Sequence, residues 1–155
     1  MSTYAATTSV STEQSRAEIE RTLQRWGADQ FMYGWDGDRA VIGFRASGRQ
    51  IKFVIDLPDR NDREFTHHSR GRRTADAALK AWEQACRQRW RALNLVIKAK
   101  LEAVESGISE FESEFLAHIV LPNGSTVGDW VAPQIDVAYT TGQMPSMLPA
   151  LGSGQ

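Results

Sequence analysis

The chain has 155 residues, of which 41% are hydrophobic and 24% charged, and its formal net charge is −1. That length suits one domain with a single core, and the composition excludes a chain that is disordered throughout. No run approaches the roughly 18 apolar residues that a membrane span needs. The single cysteine excludes an intramolecular disulfide. The N-terminal stretch "MSTYAATTSV" lacks the regions of a secretory signal. We therefore expect a cytoplasmic protein that does not enter a membrane.

The pattern predicts an α+β fold with an N-terminal helix, a three-stranded antiparallel meander, one long helix and C-terminal helices. Residues 1–10 are expected to be a disordered lead, residues 11–145 a single domain and residues 146–155 a flexible tail. The first helix is predicted from Ser11 to Trp26, because Ser11 and Gln14 resemble a capping box and Gly27 suits the left-handed position after a helix.

Three strands are predicted next, at Gln30–Trp35, Ala40–Arg45 and residues 50–57. The "WDGD" stretch places Asp36-Gly37 where a type I′ hairpin turn prefers them, and Gly48 marks the second turn. In the third strand, apolar residues alternate with mostly polar ones, so one face of the sheet is expected to be buried.

A polar loop is predicted over residues 59–73, followed by a long helix that Thr74 caps and Gly107 ends. Apolar or small residues recur along it with an average step of about 3.6, the period of an α-helix: Ala75, Leu79, Trp82, Cys86, Trp90, Leu93, Ile97, Leu101 and Val104. The C-terminal segment predicts one helix over Ser109–Leu121 and another from Thr126 to Gly142, which Pro133 kinks or restarts.

Charge is divided into blocks along the chain. Residues 70–101 contain nine basic and two acidic side chains, whereas residues 102–155 contain seven acidic side chains and no Lys or Arg. On the long helix, polar residues spaced by three and four form a stripe, predicted to lie opposite the tryptophan-bearing stripe: Lys80, Gln84, Arg87, Arg91, Asn94 and Lys98.

This basic block suits the phosphates of a nucleic acid, and helix N-termini also favour anions. The predicted nucleic-acid-binding residues are Arg70, Arg72, Arg73, Lys80, Arg87, Arg91 and Lys98. The alternative interpretation is a solvated face that pairs with the acidic block of the same molecule.

The acidic block suggests a second surface. Its glutamates cluster around Gly107 and suit a basic protein partner or self-association with the basic block of another copy: Glu102, Glu105, Glu110, Glu112 and Glu114. The alternative is a surface that serves only solubility.

No constellation predicts a catalytic residue, a metal site or a cofactor. His67 and His68, with the nearby carboxylates Asp56, Asp59, Asp62 and Glu64, are the ligand types of a metal-dependent nuclease. Their spacing matches no metal motif, so a polar surface loop is the favoured interpretation. Glu114 and His118 are predicted to make an ordinary contact across one helical turn, and Cys86 is predicted to be a core residue.

Two resemblances add expectations. The order helix, meander, helix, together with "SRGRRTADAALKAW", resembles the double-stranded-RNA-binding domain over part of the chain. Over more of the chain, "RTLQRWGADQFMYGWDGDRAVIGF", "WEQACRQRWRALNLVIKAKLEAVESGI" and "LPNGSTVGDW" are similar to small uncharacterised proteins of bacteriophages and prophages. That resemblance implies a phage origin and a bacterial cytoplasm, and it transfers no residue role.

Three functional hypotheses follow. The leading one is a non-enzymatic phage-type accessory protein that binds DNA or RNA in replication or recombination. The second is a modulator that binds a host or defence factor through the acidic block, and the third is a metal-dependent nuclease.

Overall fold

The structure is a computed structural model that describes the backbone of residues 3–145 and the side chains of residues 12–145. The predicted flexible tail, residues 146–155, lies outside the described residues. Helix α1 spans Thr3–Trp26 and therefore begins before the predicted start at Ser11, within the segment expected to be a disordered lead. The sequence between Thr3 and Ser11 contains no Gly or Pro, so nothing in it interrupts the helix.

The sheet is the predicted antiparallel meander of β1 (Gln30–Asp36), β2 (Arg39–Ala46) and β3 (Arg49–Asp56), with β2 in the centre. The predicted alternation in β3 is confirmed, because Ile51, Phe53 and Ile55 are buried. Their cross-strand partners on β2 lie on the same face, which α1 and the long helix cover. The opposite face of the sheet, which we call the outer face, exposes Met32 and Val54.

The turn chemistry differs from the prediction. Asp36 pairs with Arg39, so the central residues of the first turn are Gly37 and Asp38, and only Gly37 has a positive φ, of 61°. Glycine at the first central position is typical of a type II′ turn rather than the predicted type I′. The type I′ pattern occurs in the second turn, where Ser47 (φ 53°) and Gly48 (φ 75°) are both left-handed.

The predicted polar loop over residues 59–73 is folded. It contains a short helix α2 (Arg63–Thr66) and a hairpin of β4 (His67–His68) and β5 (Gly71–Arg72). The reason is Phe65, which is 4% exposed and anchors the segment close to the long helix. A single apolar residue among charged ones has no periodicity, so the sequence pattern did not reveal this anchor.

The long helix α3 spans Ala75–Glu105, and Thr74 caps it by accepting a hydrogen bond from the backbone N–H of Ala77. Its predicted apolar stripe is confirmed from Cys86 to Leu101, where every member is buried. Glu83 and Asn94 are buried as well, so the prediction that Asn94 belongs to an exposed stripe is wrong. At about 100° per residue, the predicted basic stripe lies roughly a quarter turn from the core stripe rather than opposite to it. Of its members, Lys98 contacts Glu18 of α1, whereas Lys80 and Arg91 are exposed.

The predicted helix over Ser109–Leu121 is broken into a short α4 (Phe111–Glu114) and a 3-10 turn at Leu116–His118. Phe115, fully buried between them, packs edge-on against Phe44 and Phe53 of the sheet. Ile119 then pairs with Ile51, which extends the backbone where a helix was expected. The last helix, α5 (Val127–Thr141), begins where predicted, is capped by Thr126, contains Pro133 and ends at a left-handed Gly142. No helix among the described residues is long and apolar enough to span a membrane.

Candidate nucleic-acid interface

The most accessible part of the basic block lies in the β4–β5 hairpin, which directly precedes α3. His67 pairs with Arg72 and His68 with Gly71, whose φ of 124° makes the tight return possible. The side chains of Arg70 and Arg72 are exposed and form no hydrogen bond or ion pair with residues 12–145. Two guanidinium groups are therefore available to a ligand at this end of the molecule.

Arg73 has a structural contact instead. Its Nη1 donates to the backbone oxygens of Glu64 (3.4 Å) and Phe65 (3.2 Å), and its backbone N–H donates to the oxygen of Thr66 at 2.7 Å. These bonds close the segment on itself around the buried Phe65 ring. Arg73 thus holds the hairpin in place, and Arg70 and Arg72 project from it.

The N-terminus of α3 already has its own acceptors. Thr74 Oγ1 accepts from the Ala77 N–H at 3.2 Å, and Asp76 places a carboxylate in the first turn. Lys80 Nζ lies 3.5 Å from Asp76 Oδ2, but both side chains are at least three-quarters exposed. A pair with that exposure is screened by water and contributes little, so Lys80 remains available to a phosphate.

The cations in the middle of the basic block are only partly available to a ligand. Arg87 Nη2 donates to Gln84 Oε1 at 2.7 Å, and its Nη1 lies 3.9 Å from the carboxylate of the buried Glu83. Arg91 is exposed and has no hydrogen-bonding or ionic partner in the described part of the chain. The predicted stripe is therefore not one continuous exposed row of cations.

Lys98 is held against α1. Its Nζ donates to Glu18 Oε1 in a short ion pair. This hydrogen bond, together with one from Asn94, lowers the pKa of the Glu18 carboxyl below its ordinary value. Lys98 thus helps to join α1 to α3, and its ammonium group is already paired.

The acidic block is likewise divided. Glu114 accepts from Lys100 Nζ through both its carboxylate (3.4 Å) and its backbone oxygen (3.1 Å), and Glu112 Oε1 accepts from Arg49 Nε at 3.3 Å. The exposed Glu102, Glu105 and Glu110 form no ion pair with residues 12–145. The ion pair between Lys100 and Glu114 therefore neutralises one charge of the basic block and one of the acidic block, where α4 packs beside α3.

The two histidines of the hairpin serve local structure. His67 Nδ1 is 2.8 Å from Thr66 Oγ1, and His68 Nδ1 accepts from the Arg70 N–H at 2.9 Å. No group of three or more His, Cys, Asp or Glu side chains in the described ranges could hold a metal ion.

Of the other two candidates of the sequence, His118 is half-buried and Cys86 is a core residue. His118 stacks on Phe53 with ring centres 4.0 Å apart, and burial, with Lys100 as a second cause, lowers its pKa. Glu114, its predicted contact, binds Lys100 instead. Cys86 is 2% exposed, and burial raises the pKa of its thiol to about 11, which makes it unreactive.

The sequence analysis missed the hairpin but contained a signal for it. The stretch "HHSRGRR" has Ser and Gly at positions suited to a turn, flanked by residues that can pair. What it lacked was a sign that Phe65 is buried. No protein-family model, curated protein or solved structure matches the chain, so the arrangement of these side chains is the basis for assigning a function.

Proposed function

We propose that this protein is a non-enzymatic accessory protein that binds nucleic acid through its basic end, which we define as Arg70, Arg72 and Lys80. The observation that carries the proposal is that Arg70 and Arg72 project, exposed and unpaired within the described residues, from a hairpin braced by Phe65 and Arg73.

The chemistry of the basic end suits phosphate. A guanidinium group donates two parallel hydrogen bonds to phosphate oxygens, and a lysine adds a point charge. Because the hairpin is already folded, less conformational entropy is lost when its arginines bind. Contacts with phosphates alone carry no sequence information, so we expect binding with little sequence preference.

The test is fluorescence anisotropy of the full chain with labelled single-stranded DNA, double-stranded DNA and double-stranded RNA over a range of salt concentrations. Three phosphate contacts predict that log K falls against log salt with a slope of about −2 to −3. In the double variant Arg70→Glu/Arg72→Glu, we expect affinity to fall at least about tenfold and the slope to become less negative by about 2.

The matched control is Arg21→Glu/Arg25→Glu, which makes the same charge change on the exposed face of α1. It should change affinity much less than the hairpin variant. Arg87→Glu/Arg91→Glu shows whether contacts continue along α3. The proposal would be refuted if the protein bound none of the three nucleic acids in a salt-sensitive way. It would also be refuted if the hairpin variant and the control lost equal affinity.

A second candidate is the modulator that binds a host or defence protein, and it is favoured by Glu102, Glu105 and Glu110, which form no ion pair with residues 12–145. It predicts a stable complex captured from nuclease-treated bacterial lysate by the wild-type chain and not by a variant with all three residues changed to Gln. It also predicts no affinity of the purified chain for nucleic acid. The anisotropy series therefore separates the two candidates.

A further inference from the structure

The sheet has one edge that is partly covered and one that is open. Next to β3, Ile119 pairs with Ile51, and the Val120 N–H donates to the Gln50 oxygen at 2.8 Å. Strand β1 forms the other edge, and β2 is the only strand that pairs with it among the described residues. An open edge presents unpaired N–H and C=O groups, to which another strand can add.

The alternation of hydrogen bonds shows which groups of β1 face the open edge. Gln50 bonds away from β2, so the odd-numbered residues of β3 bond to the even-numbered residues of β2. The odd-numbered residues of β2 then bond to the even-numbered residues of β1. The backbone groups of Phe31, Tyr33 and Trp35 therefore point to the open edge, and they form no hydrogen bond with residues 12–145.

Strand β1 lacks the features that normally protect a sheet edge. It contains no Lys, Arg or Pro, and its only charged residue is Asp36 at its end. Its register with β2 continues over all seven residues without a bulge. Trp35 is 77% exposed, and its ring has no aromatic or hydrogen-bonding partner among residues 12–145. An edge of this kind is expected to pair with another strand.

The side chains of β1 are complementary to those of a second β1. When two copies align antiparallel about Tyr33, the facing residues, one from each copy, are Phe31 with Trp35, Met32 with Gly34, and Gln30 with Asp36. Aromatic pairs across two strands are stabilising. The long Met32 side chain lies opposite a residue without a side chain, and no two like charges meet. This self-complementarity selects a second copy as the occupant of the edge.

The backbone favours the same alignment. Three facing pairs, Phe31 with Trp35, Tyr33 with Tyr33 and Trp35 with Phe31, each exchange two hydrogen bonds, which gives six between the copies. A shift by two residues leaves only two such pairs and places Met32 opposite either Met32 or Asp36 of the other copy. Only the alignment about Tyr33 satisfies every outward group of both strands.

We propose that β1 pairs antiparallel with β1 of a second copy about Tyr33, so that two three-stranded sheets join into one continuous sheet. The contact is isologous, because a two-fold axis brings the same strand of each copy together. It uses neither the basic end nor the acidic block, so it is independent of nucleic-acid binding.

The first test is the molecular mass of the full chain, measured by sedimentation over a range of concentrations. We expect a dimer that dissociates on dilution. Trp35→Pro removes an N–H that points to the open edge and takes no hydrogen bond from β2. We expect the dissociation constant to rise at least about tenfold, because two hydrogen bonds between the copies are lost. The matched control Trp35→Val keeps the N–H and should weaken the dimer less, and circular dichroism should show the same fold in both variants.

Disulfide cross-linking tests the alignment itself. Met32 of one copy and Gly34 of the other form a pair without hydrogen bonds, whose Cα atoms are about 4.5 Å apart, within the range of a disulfide. A Cβ atom added to Gly34 meets nothing within 4 Å, and the native Cys86 is buried. Under mild oxidation, we expect a mixture of Met32→Cys and Gly34→Cys to cross-link at least about tenfold faster than either variant alone. In each variant alone, the thiols of the two copies are two residues out of register.

The control for cross-linking is Val54→Cys, which places an exposed thiol on β3 at the same face of the sheet. Its mixture with Gly34→Cys should not cross-link above the level of the single variants. A wild-type chain that is monomeric at all concentrations would overturn the proposal and assign the edge to another occupant. A wild-type dimer that Trp35→Pro leaves intact would overturn it as well. Equal cross-linking of the mixture and the single variants would contradict the alignment about Tyr33.

Discussion

Replacing Phe65 by alanine should loosen the segment that presents the basic end without changing any charge. The ring is 4% exposed and lies outside the main core cluster, between α2 and α3. Removing a buried phenylalanine side chain costs about 3 to 5 kcal/mol, and we take the lower limit because Phe65 lies at the periphery. A loss of about 3 kcal/mol favours opening of the segment by a factor of about 150.

Hydrogen exchange is the direct assay of this effect. The N–H groups of Phe65 and Thr66 bond to Asp62, and that of Arg73 bonds to Thr66, so these three amides report opening of the segment. We expect their exchange to accelerate about 100-fold in Phe65→Ala, while core amides of β2 change less. Phe65→Leu is the matched control, since a smaller cavity should cost about 1 to 2 kcal/mol.

The same variant connects stability to binding. Phe65→Ala keeps Arg70 and Arg72, so a loss of affinity for nucleic acid would arise only from their loss of order. We expect a several-fold weaker affinity with an unchanged salt slope. Unchanged exchange at Phe65, Thr66 and Arg73, with unfolding within about 1 kcal/mol of the wild type, would refute the assignment of Phe65 as the anchor.

Three further predictions concern individual residues. Ser47→Asn should stabilise the protein by about 0.5 to 1 kcal/mol in urea unfolding, because asparagine tolerates the left-handed backbone of a type I′ turn better than serine; a less stable variant would contradict that turn assignment. The pKa of His118 is lowered on folding, so the unfolded chain binds the extra proton and stability should fall as pH drops through about 6.5. His118→Gln should remove that part of the pH dependence, and an identical pH profile would argue against it. Cys86, with a thiol pKa of about 11, should react with iodoacetamide at pH 8 only after unfolding, and rapid labelling of the native chain would contradict its burial.

The elements with strong periodicity were predictable from the sequence. The buried row of β3 and the stripe from Cys86 to Leu101 follow from repeats of 2 and 3.6 residues, which place apolar side chains on one face whatever packs there. The cap Thr74 was predictable for a similar reason, because its hydrogen bond is made within four residues. The phage origin and nucleic-acid binding remain predictions.

The candidate site was predictable only as a set of charges. Sequence spacing placed Lys98 and Arg91 on one stripe, but it could not show that α1 brings Glu18 to Lys98 while Arg91 has no partner among residues 12–145. The predicted helix over Ser109–Leu121 failed for a related reason. Burial of Phe115 against two strands and pairing of Ile119 with Ile51 are contacts between distant parts of the chain, and they outweigh local helix propensity.

The sequence by itself therefore determined the order of α1, the three-stranded meander, α3 and α5, the buried rows of β3 and α3, and the change from a basic to an acidic block near the end of α3. The tertiary structure decided which charges are free and which apolar surfaces are covered. Pairs such as Lys98 with Glu18 and Lys100 with Glu114 occupy cations of the basic block, whereas Arg70 and Arg72 have no side-chain partner among residues 12–145. The physical reason is that periodicity and capping act over a few residues, whereas pairing and burial depend on which distant segments the fold brings together.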